Sequence, residues 1–199
     1  MCHVKEAVRT VLHTVVVCRS IGGHRPIEPR AVTSELLDVT YMRTDEVELE
    51  QEIEQSVRQF SEVCEGNISR SGRAQLVFNF YTTKSRKQSI WNLLVGTDEK
   101  IVFEQWRVPV AVQPLRRFPS PAENLREEAT LQVSASEQVQ RALHYVIGRA
   151  NAKVDHLPPP PQTQASYKFE ISFASDGKGV AQGFGSSLSQ TIRHIPHIS

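Results

Sequence analysis

The chain has 199 residues, with 23 Lys plus Arg against 22 Asp plus Glu, so its formal net charge is +1. A chain of this length can bury a core without disulfides or metal, and we expect one domain over residues 1–199. The balanced charge argues against a long phosphate-tracking surface, because nucleic-acid binders carry a clear basic excess. Three scattered cysteines and no apolar run of about 20 residues indicate a cytoplasmic protein without a disulfide scaffold or membrane span.

The first half of the chain predicts two helices separated by a strand. Apolar residues recur with helical spacing over residues 4–20, and residues 35–42 alternate like a strand. A second helix is predicted from a cap at Thr44-Asp45 to about Cys64. Its apolar stripe comprises Leu49, Ile53, Val57, Phe60 and Cys64. Glutamates at every second position from Glu46 to Glu54 spread around this helix, so we expect a solvated face and no catalytic pair.

The middle of the chain predicts a long hairpin and a third helix. Residues 75–81 and 101–112 alternate as strands, and residues 82–100 between them form a protruding finger loop. Pro109 indicates that the second strand lies at a sheet edge or contains a bulge. Residues 113–122 are predicted as a loop. The third helix is clearest over residues 136–152.

The last part predicts one further strand. Residues 153–166 are predicted as a loop that contains four consecutive prolines. Residues 167–173 alternate strictly, with Tyr167, Phe169, Ile171 and Phe173 facing inward, and residues 175–199 are predicted as a partly flexible tail. The order of elements predicts an α+β fold of about three helices on a mainly antiparallel sheet.

No pattern in the sequence predicts catalysis. The Gly-rich stretch after residue 176 contains no Gly-Lys-Ser/Thr triplet, and the histidines lack the spacing of metal ligands. There is no Gly-x-Ser-x-Gly motif. We therefore expect a protein that is not an enzyme, with no catalytic residue, no cofactor and no metal.

The finger loop contains the strongest candidate for a binding site. Its apolar tip comprises Ile90, Trp91, Leu93 and Leu94, and its basic flank comprises Lys84, Arg86 and Lys87. Trp91 either folds back onto the core or is an exposed anchor for a partner. Full burial of an indole, about 200 Å² at about 25 cal/mol/Å², bounds such an anchor near 5 kcal/mol.

Short motifs, taken in chain order, resemble the autophagy-related protein 101 family. They run from about Ala7 to Phe173, which is most of the chain, and their ordered set is more specific than any one of them. The motifs are Val11-Leu12-His13-Thr14, Arg19-Ser20-Ile21-Gly22, Leu37-Asp38-Val39-Thr40-Tyr41, Phe80-Tyr81, Lys84-Ser85-Arg86, Phe103-Glu104-Gln105-Trp106, Asp155-His156-Leu157-Pro158-Pro159 and Tyr167-Lys168-Phe169-Glu170-Ile171-Ser172-Phe173.

The resemblance implies a HORMA fold and a non-enzymatic subunit of the autophagy-initiation kinase complex at the phagophore assembly site. Members of the family pair with and stabilise the HORMA domain of autophagy-related protein 13, and a Trp-Phe finger recruits downstream autophagy factors. Here Ile90-Trp91 stands where the family has that aromatic pair. Only three residues precede the first helix, where the family has a strand.

These observations favour a non-catalytic adaptor that heterodimerises with a second HORMA protein and recruits factors through Trp91. The alternative is a module that binds an anionic lipid or nucleic-acid surface through the basic loop around Trp91. In that alternative, Arg116-Arg117 supplements the charge of Arg86 and Lys87.

Overall fold

The computed structural model describes residues 2–20, 27–67, 72–84, 99–159, 167–175 and 178–181. In chain order the elements are α1 (Cys2–Ser20), β1 (Arg30–Ser34), β2 (Val39–Arg43), α2 (Val47–Asn67), β3 (Arg73–Lys84), β4 (Glu99–Ala111), α3 (Pro121–Ala152), β5 (Lys168–Ser175) and β6 (Lys178–Ala181). Three helices therefore pack against antiparallel sheets in the described part of the chain, which confirms the predicted α+β class.

Helix α1 is buried on more than its apolar stripe. Val8, Val11, Leu12, Val15 and Val16 are all in the core, as their spacing predicts. The polar residues between them, from position 10 to position 14, are also buried. β-Branched residues lower the intrinsic stability of a helix, so tertiary burial is what stabilises α1.

The strand predicted over residues 35–42 is wrong in its first half. The structure has a tight turn over residues 35–38 between β1 and β2, in which the backbone N–H of Asp38 donates to the carbonyl of Ser34 at 2.7 Å. Asp38 adopts a φ of 49°, which Asp tolerates better than most residues. Leu37 is fully buried although it lies in the turn, and this explains why its apolar character suggested a strand.

Helix α2 carries the predicted buried stripe, and Thr44 accepts a hydrogen bond from the backbone of Glu46 before the helix begins. Its acidic residues are less solvated than predicted. Glu54 forms an ion pair with Arg9 of α1, and Glu50 forms one with Arg43 of β2. These two carboxylates therefore link α2 to its neighbours.

The larger sheet has the order β4-β3-β5-β6, with each pair antiparallel. Its core face is aromatic: Phe78 stacks on Phe169 with ring centroids 4.8 Å apart, and Phe60 of α2 meets Phe173 at 5.5 Å. Burial of Tyr167, Phe169, Ile171 and Phe173 confirms the alternation predicted for this strand.

Strand β4 lies at the edge of the sheet, which confirms the position inferred from Pro109. Pro109 is paired with Gln75, and the register shifts between Phe80 and Tyr81, so that Phe103 is the extra residue of a bulge. At the end of the hairpin remote from the finger, the backbone N–H of Val112 donates to the carbonyl of Gly72. This glycine has a φ of 63°, and a Cβ there would lie 2.7 Å from the carbonyl oxygen of Val112.

Helix α3 begins earlier than the sequence pattern indicated. Pro121, which is favoured in the first turn of a helix, starts a helix of 32 residues. Its fully buried residues, Val139, Leu143, Val146 and Ala150, all lie in the second half. The first half has no fully buried side chain, so its apolar periodicity is weak.

Candidate partner-binding site

The described strands end at the base of the predicted finger. Lys84 at the end of β3 pairs with Glu99 at the start of β4, and the Lys84 side chain is exposed. The remaining residues predicted for the site, Ile90, Trp91, Leu93, Leu94, Arg86 and Lys87, lie outside the described residues. Their role therefore stays a prediction.

The base of the finger carries charge of both signs. The ammonium group of Lys100 donates to Glu170 of β5 at 3.1 Å and lies 4.7 Å from the centroid of the Tyr81 ring. Both charged side chains of this pair are about one-quarter exposed, so the ion pair contributes little to stability. Lys100 is therefore partly neutralised, whereas Lys84 remains in solvent.

A buried polar cluster lies where α1, β4 and the end of α3 meet. The guanidinium of Arg19 donates to both oxygens of Glu104, at 2.8 and 2.9 Å, and the two side chains are only 2% and 1% exposed. Arg19 also donates to the carbonyl oxygens of Ala150 at 3.0 Å and Lys153 at 3.2 Å. The cation therefore caps the end of α3 while it neutralises the carboxylate.

Two further side chains complete the coordination of Glu104. The indole N–H of Trp106 donates to its Oε1, and the Nε2 of His156 lies 2.7 Å from its Oε2. The Arg19 guanidinium is also 5.8 Å from the centroid of the Trp106 ring. Each carboxylate oxygen therefore has two partners, and these hydrogen bonds offset the cost of burying the Glu104 side chain.

We call Arg19, Glu104, Trp106 and His156 the clasp. The loop that contains His156 is held a second time, because the Tyr167 hydroxyl donates to the carbonyl of Pro158 at 2.6 Å. Burial raises the pKa of that hydroxyl. The clasp thus fixes the start of the segment that follows α3. Its contacts position α1, β4 and this segment relative to one another.

The clasp was not predicted as a unit. Its members come from three of the motifs that carried the family resemblance, and Arg19 and Glu104 are 85 residues apart in the sequence. The sequence did contain one indication of the clasp, which is that ionisable residues such as Arg19 and Glu104 stand inside otherwise apolar segments. Such residues are seldom fully buried without partners.

The cysteines behave as expected for small apolar residues. Burial raises the pKa of the Cys64 thiol to about 11 and also raises that of Cys18, so both are thiols at neutral pH. Among the described residues, no group of three His, Cys, Asp or Glu side chains could hold a metal ion. No described helix is both long enough and apolar enough to cross a bilayer.

The structure places Arg116-Arg117 far from the base of the finger, whereas Arg86 and Lys87, with which they were grouped, lie outside the described residues. The hairpin pairs Lys84 with Glu99 at one end and Arg73 with Ala111 at the other. The eleven residue-to-residue steps from Arg73 to Lys84, at about 3.4 Å each, put these ends about 37 Å apart. Arg116 and Arg117 follow the end that is remote from the finger, so they cannot belong to one patch around its base.

Comparison with known proteins gives consistent matches over nearly the whole chain. The sequence model of the family described as "Autophagy-related protein 101" matches residues 1–164. The chain belongs to the autophagy-related protein 101 family. The relative from Homo sapiens is 30% identical and that from Arabidopsis thaliana is 28% identical, over 96% and 98% of this chain and 89% and 91% of the relatives. The relative from Xenopus tropicalis is 23% identical over 96% of this chain and 89% of its own.

Membership of the autophagy-related protein 101 family confirms the resemblance recognised in the motifs and assigns the chain an autophagy-related role. Three helices on antiparallel sheets are consistent with the HORMA fold that the resemblance implied. The matched range includes Arg19, Glu104 and His156, so the clasp lies within the part of the chain that carries the family signal.

Proposed function

We propose that this chain is a non-catalytic adaptor of autophagy initiation. It heterodimerises with the HORMA domain of autophagy-related protein 13, stabilises that domain, and recruits downstream factors through the finger that bears Trp91. It acts in the cytoplasm, at the phagophore assembly site. The observation that carries this proposal is the family match over residues 1–164.

The described geometry supports a recruiting role for the finger. Strands β3 and β4 pair along their whole length up to Lys84 and Glu99, so the loop starts from a rigid two-stranded arm. A binding loop on a rigid scaffold loses less conformational entropy when its partner docks. Strand β5 pairs with β3 from Ala74 to Tyr81 and supports the arm from the other side.

The clasp supports the same proposal in a different way. It uses the buried charges of Arg19 and Glu104 to fix α1, β4 and the end of α3 relative to one another. A subunit that stabilises its partner must present a surface that does not itself rearrange, since each ordering step on binding reduces the affinity. Fixed elements therefore fit a role as a stabilising subunit.

Co-purification tests the proposed pairing. The full chain is expressed together with the HORMA domain of an autophagy-related protein 13 homologue from the same organism, with the tag on one partner only. We expect a one-to-one complex in size-exclusion chromatography and a rise in the melting temperature of the partner domain. Two separate peaks at micromolar concentrations of both proteins would refute the pairing.

A further inference from the structure

The segment between β4 and α3 presents an exposed surface distinct from the clasp and from the base of the finger. We call it the basic corner, and it comprises Leu115, Arg116, Arg117, Phe118 and Leu125. Its three apolar side chains are 39%, 37% and 67% exposed, in chain order. Large apolar side chains grouped in solvent mark a site of interaction more often than scattered ones do.

The basic corner is held in place although it is not packed. The side chain of Asn124 accepts from the backbone N–H of Phe118 at 2.7 Å and donates to the carbonyl of the same residue at 2.9 Å. This pair of hydrogen bonds fastens the segment to the first turns of α3. Phe118 is thus presented to solvent in a defined position, which lowers the entropy lost when a ligand binds.

The two arginines of the basic corner are free to bind a ligand. Within the part of the chain that the structure describes, neither Arg116 nor Arg117 has a hydrogen bond or an ion pair, and both are exposed. A guanidinium offers a planar fork of donors that matches a carboxylate. The corner therefore combines anion recognition with an apolar contact.

The local charge decides which class of ligand fits. From residue 112 to residue 128, three arginines at positions 116, 117 and 126 are balanced by three glutamates at positions 123, 127 and 128. A broad anionic bilayer would meet both signs and gain no net attraction. A peptide places single carboxylates beside Arg116 and Arg117 and can avoid the glutamates, so a peptide fits better than a membrane.

We propose that the basic corner binds an extended peptide in which acidic side chains flank an apolar one. The carboxylates pair with Arg116 and Arg117, and the apolar side chain packs against Phe118 and Leu125. This site lies about 37 Å along the hairpin from the base of the finger.

A peptide selection on the full chain tests this proposal. A phage library of random twelve-residue peptides is selected on the wild-type protein and, in parallel, on the R116E/R117E variant. One enriched peptide is then synthesised with a fluorescent label, and its dissociation constant is measured by anisotropy at several salt concentrations. Phosphatidylserine and phosphatidylcholine vesicles are tested by co-sedimentation with the same proteins.

We expect acidic peptides with a central apolar residue to be enriched on the wild-type protein only. R116E/R117E should weaken binding of the labelled peptide at least tenfold, and affinity should fall as salt rises. No enrichment, or equal binding to both proteins, would overturn the proposal. Binding to phosphatidylserine vesicles that R116E/R117E abolishes would assign the corner to a membrane and would overturn it as well.

Matched variants separate the site from general effects of charge and folding. R58E/R141E reverses two other exposed arginines and makes the same change in net charge, so it should leave peptide binding within twofold of the wild type. F118S removes the apolar contact without changing charge and should weaken binding at least fivefold. Asn124→Ala removes the two hydrogen bonds that position Phe118. It should therefore weaken peptide binding while the melting temperature stays within about 3 °C.

Discussion

Glu104 is the residue with the most demanding environment in the described structure. Its carboxylate is 1% exposed and is bound by Arg19, Trp106 and His156. A buried ion pair adds little net stability when intact, because desolvation offsets the Coulomb attraction. Removing one partner is different, since the other charge then remains buried without compensation.

We therefore expect Glu104→Ala to lower the free energy of unfolding by about 3–5 kcal/mol, because it leaves Arg19 as an unpaired buried cation. Urea denaturation followed by circular dichroism measures this loss. Glu170→Ala, which breaks the part-exposed pair with Lys100, is the control and should cost less than about 1 kcal/mol. A cost below 1 kcal/mol for Glu104→Ala would mean that the clasp does not fix the elements it joins.

His13 is a second buried group with consequences for stability. Its ring is fully buried against Tyr41, and neither ring nitrogen has a hydrogen-bond partner within the described residues. Burial, with a smaller contribution from Arg43, lowers the pKa of His13 to about 4. Arg9 also contributes to this lowering of the pKa, and Glu54 partly opposes it.

Stability should fall as pH falls below the unfolded-state pKa of His13, about 6.5, because the unfolded chain binds a proton that the folded chain excludes. Between pH 7 and pH 5 the loss from this residue should be about 2 kcal/mol. Urea unfolding curves at both pH values measure it. His13→Leu should remove this dependence, and an equal pH effect in the variant would assign it to other groups.

The two halves of helix α3 differ in how deeply their side chains are buried. Its second half is fixed by Val139, Leu143, Val146 and Ala150 in the core, and Arg19 caps its end. Its first half has no fully buried residue, and Leu125 and Val133 are more than half exposed. Local stability follows the density of buried contacts, so the two halves should open independently.

Hydrogen exchange read by mass spectrometry should show this division. Backbone amides over residues 124–134 should exchange at least tenfold faster than those over residues 140–150, because opening the first half exposes little apolar surface. The two halves lie in one helix and have similar intrinsic rates, so each is the internal control for the other. Uniform protection along α3 would show that the first half is covered.

The finger is the element on which recruitment depends in the proposed function. Trp91→Ala should leave the melting temperature within about 2 °C and the heterodimer intact, but should weaken capture of downstream autophagy factors at least tenfold. Thermal unfolding and a pull-down with the reconstituted complex measure these effects. A large fall in melting temperature would show that Trp91 belongs to the core.

Trp106 provides the matched control for the finger variant, since it is the other tryptophan of the chain. It is half-buried in β4, and its indole N–H donates to Glu104. Trp106→Ala should therefore cost about 3 kcal/mol, at the lower end of the range for buried tryptophan. Trp106→Ala should therefore destabilise the fold, whereas Trp91→Ala should leave its stability almost unchanged.

At the scale of the whole molecule, the base of the finger and the basic corner lie at opposite ends of one hairpin. Lys84 marks the base of the finger, and the basic corner follows Ala111 at the other end. Glu104 and Trp106, the two members of the clasp on β4, lie between these two ends of the hairpin. This spacing allows an adaptor to hold one partner at each end, because occupation of one end does not cover the other.

Much of this architecture could be predicted from sequence. The alternation of Phe169, Ile171 and Phe173 predicted a buried strand, and Pro109 predicted an edge position or a bulge, because period-two burial and the missing N–H of proline are local properties. The first half of α3 could not be predicted in the same way. Its helix persists without a buried face, so no clear apolar periodicity marks it.

The sequence by itself determined the approximate positions of the three helices and of β3, β4 and β5, and the family that the chain resembles, since both depend on residue order. It did not mark β1 or β6. Tertiary structure alone decided that Arg19, Glu104 and His156 meet, and that Arg116 lies far from the base of the finger at Lys84. Residues that are far apart in the sequence, such as Arg19 and Glu104, come into contact only when the chain folds. The pairing of β3 with β4 sets the distance between Arg116 and the base of the finger.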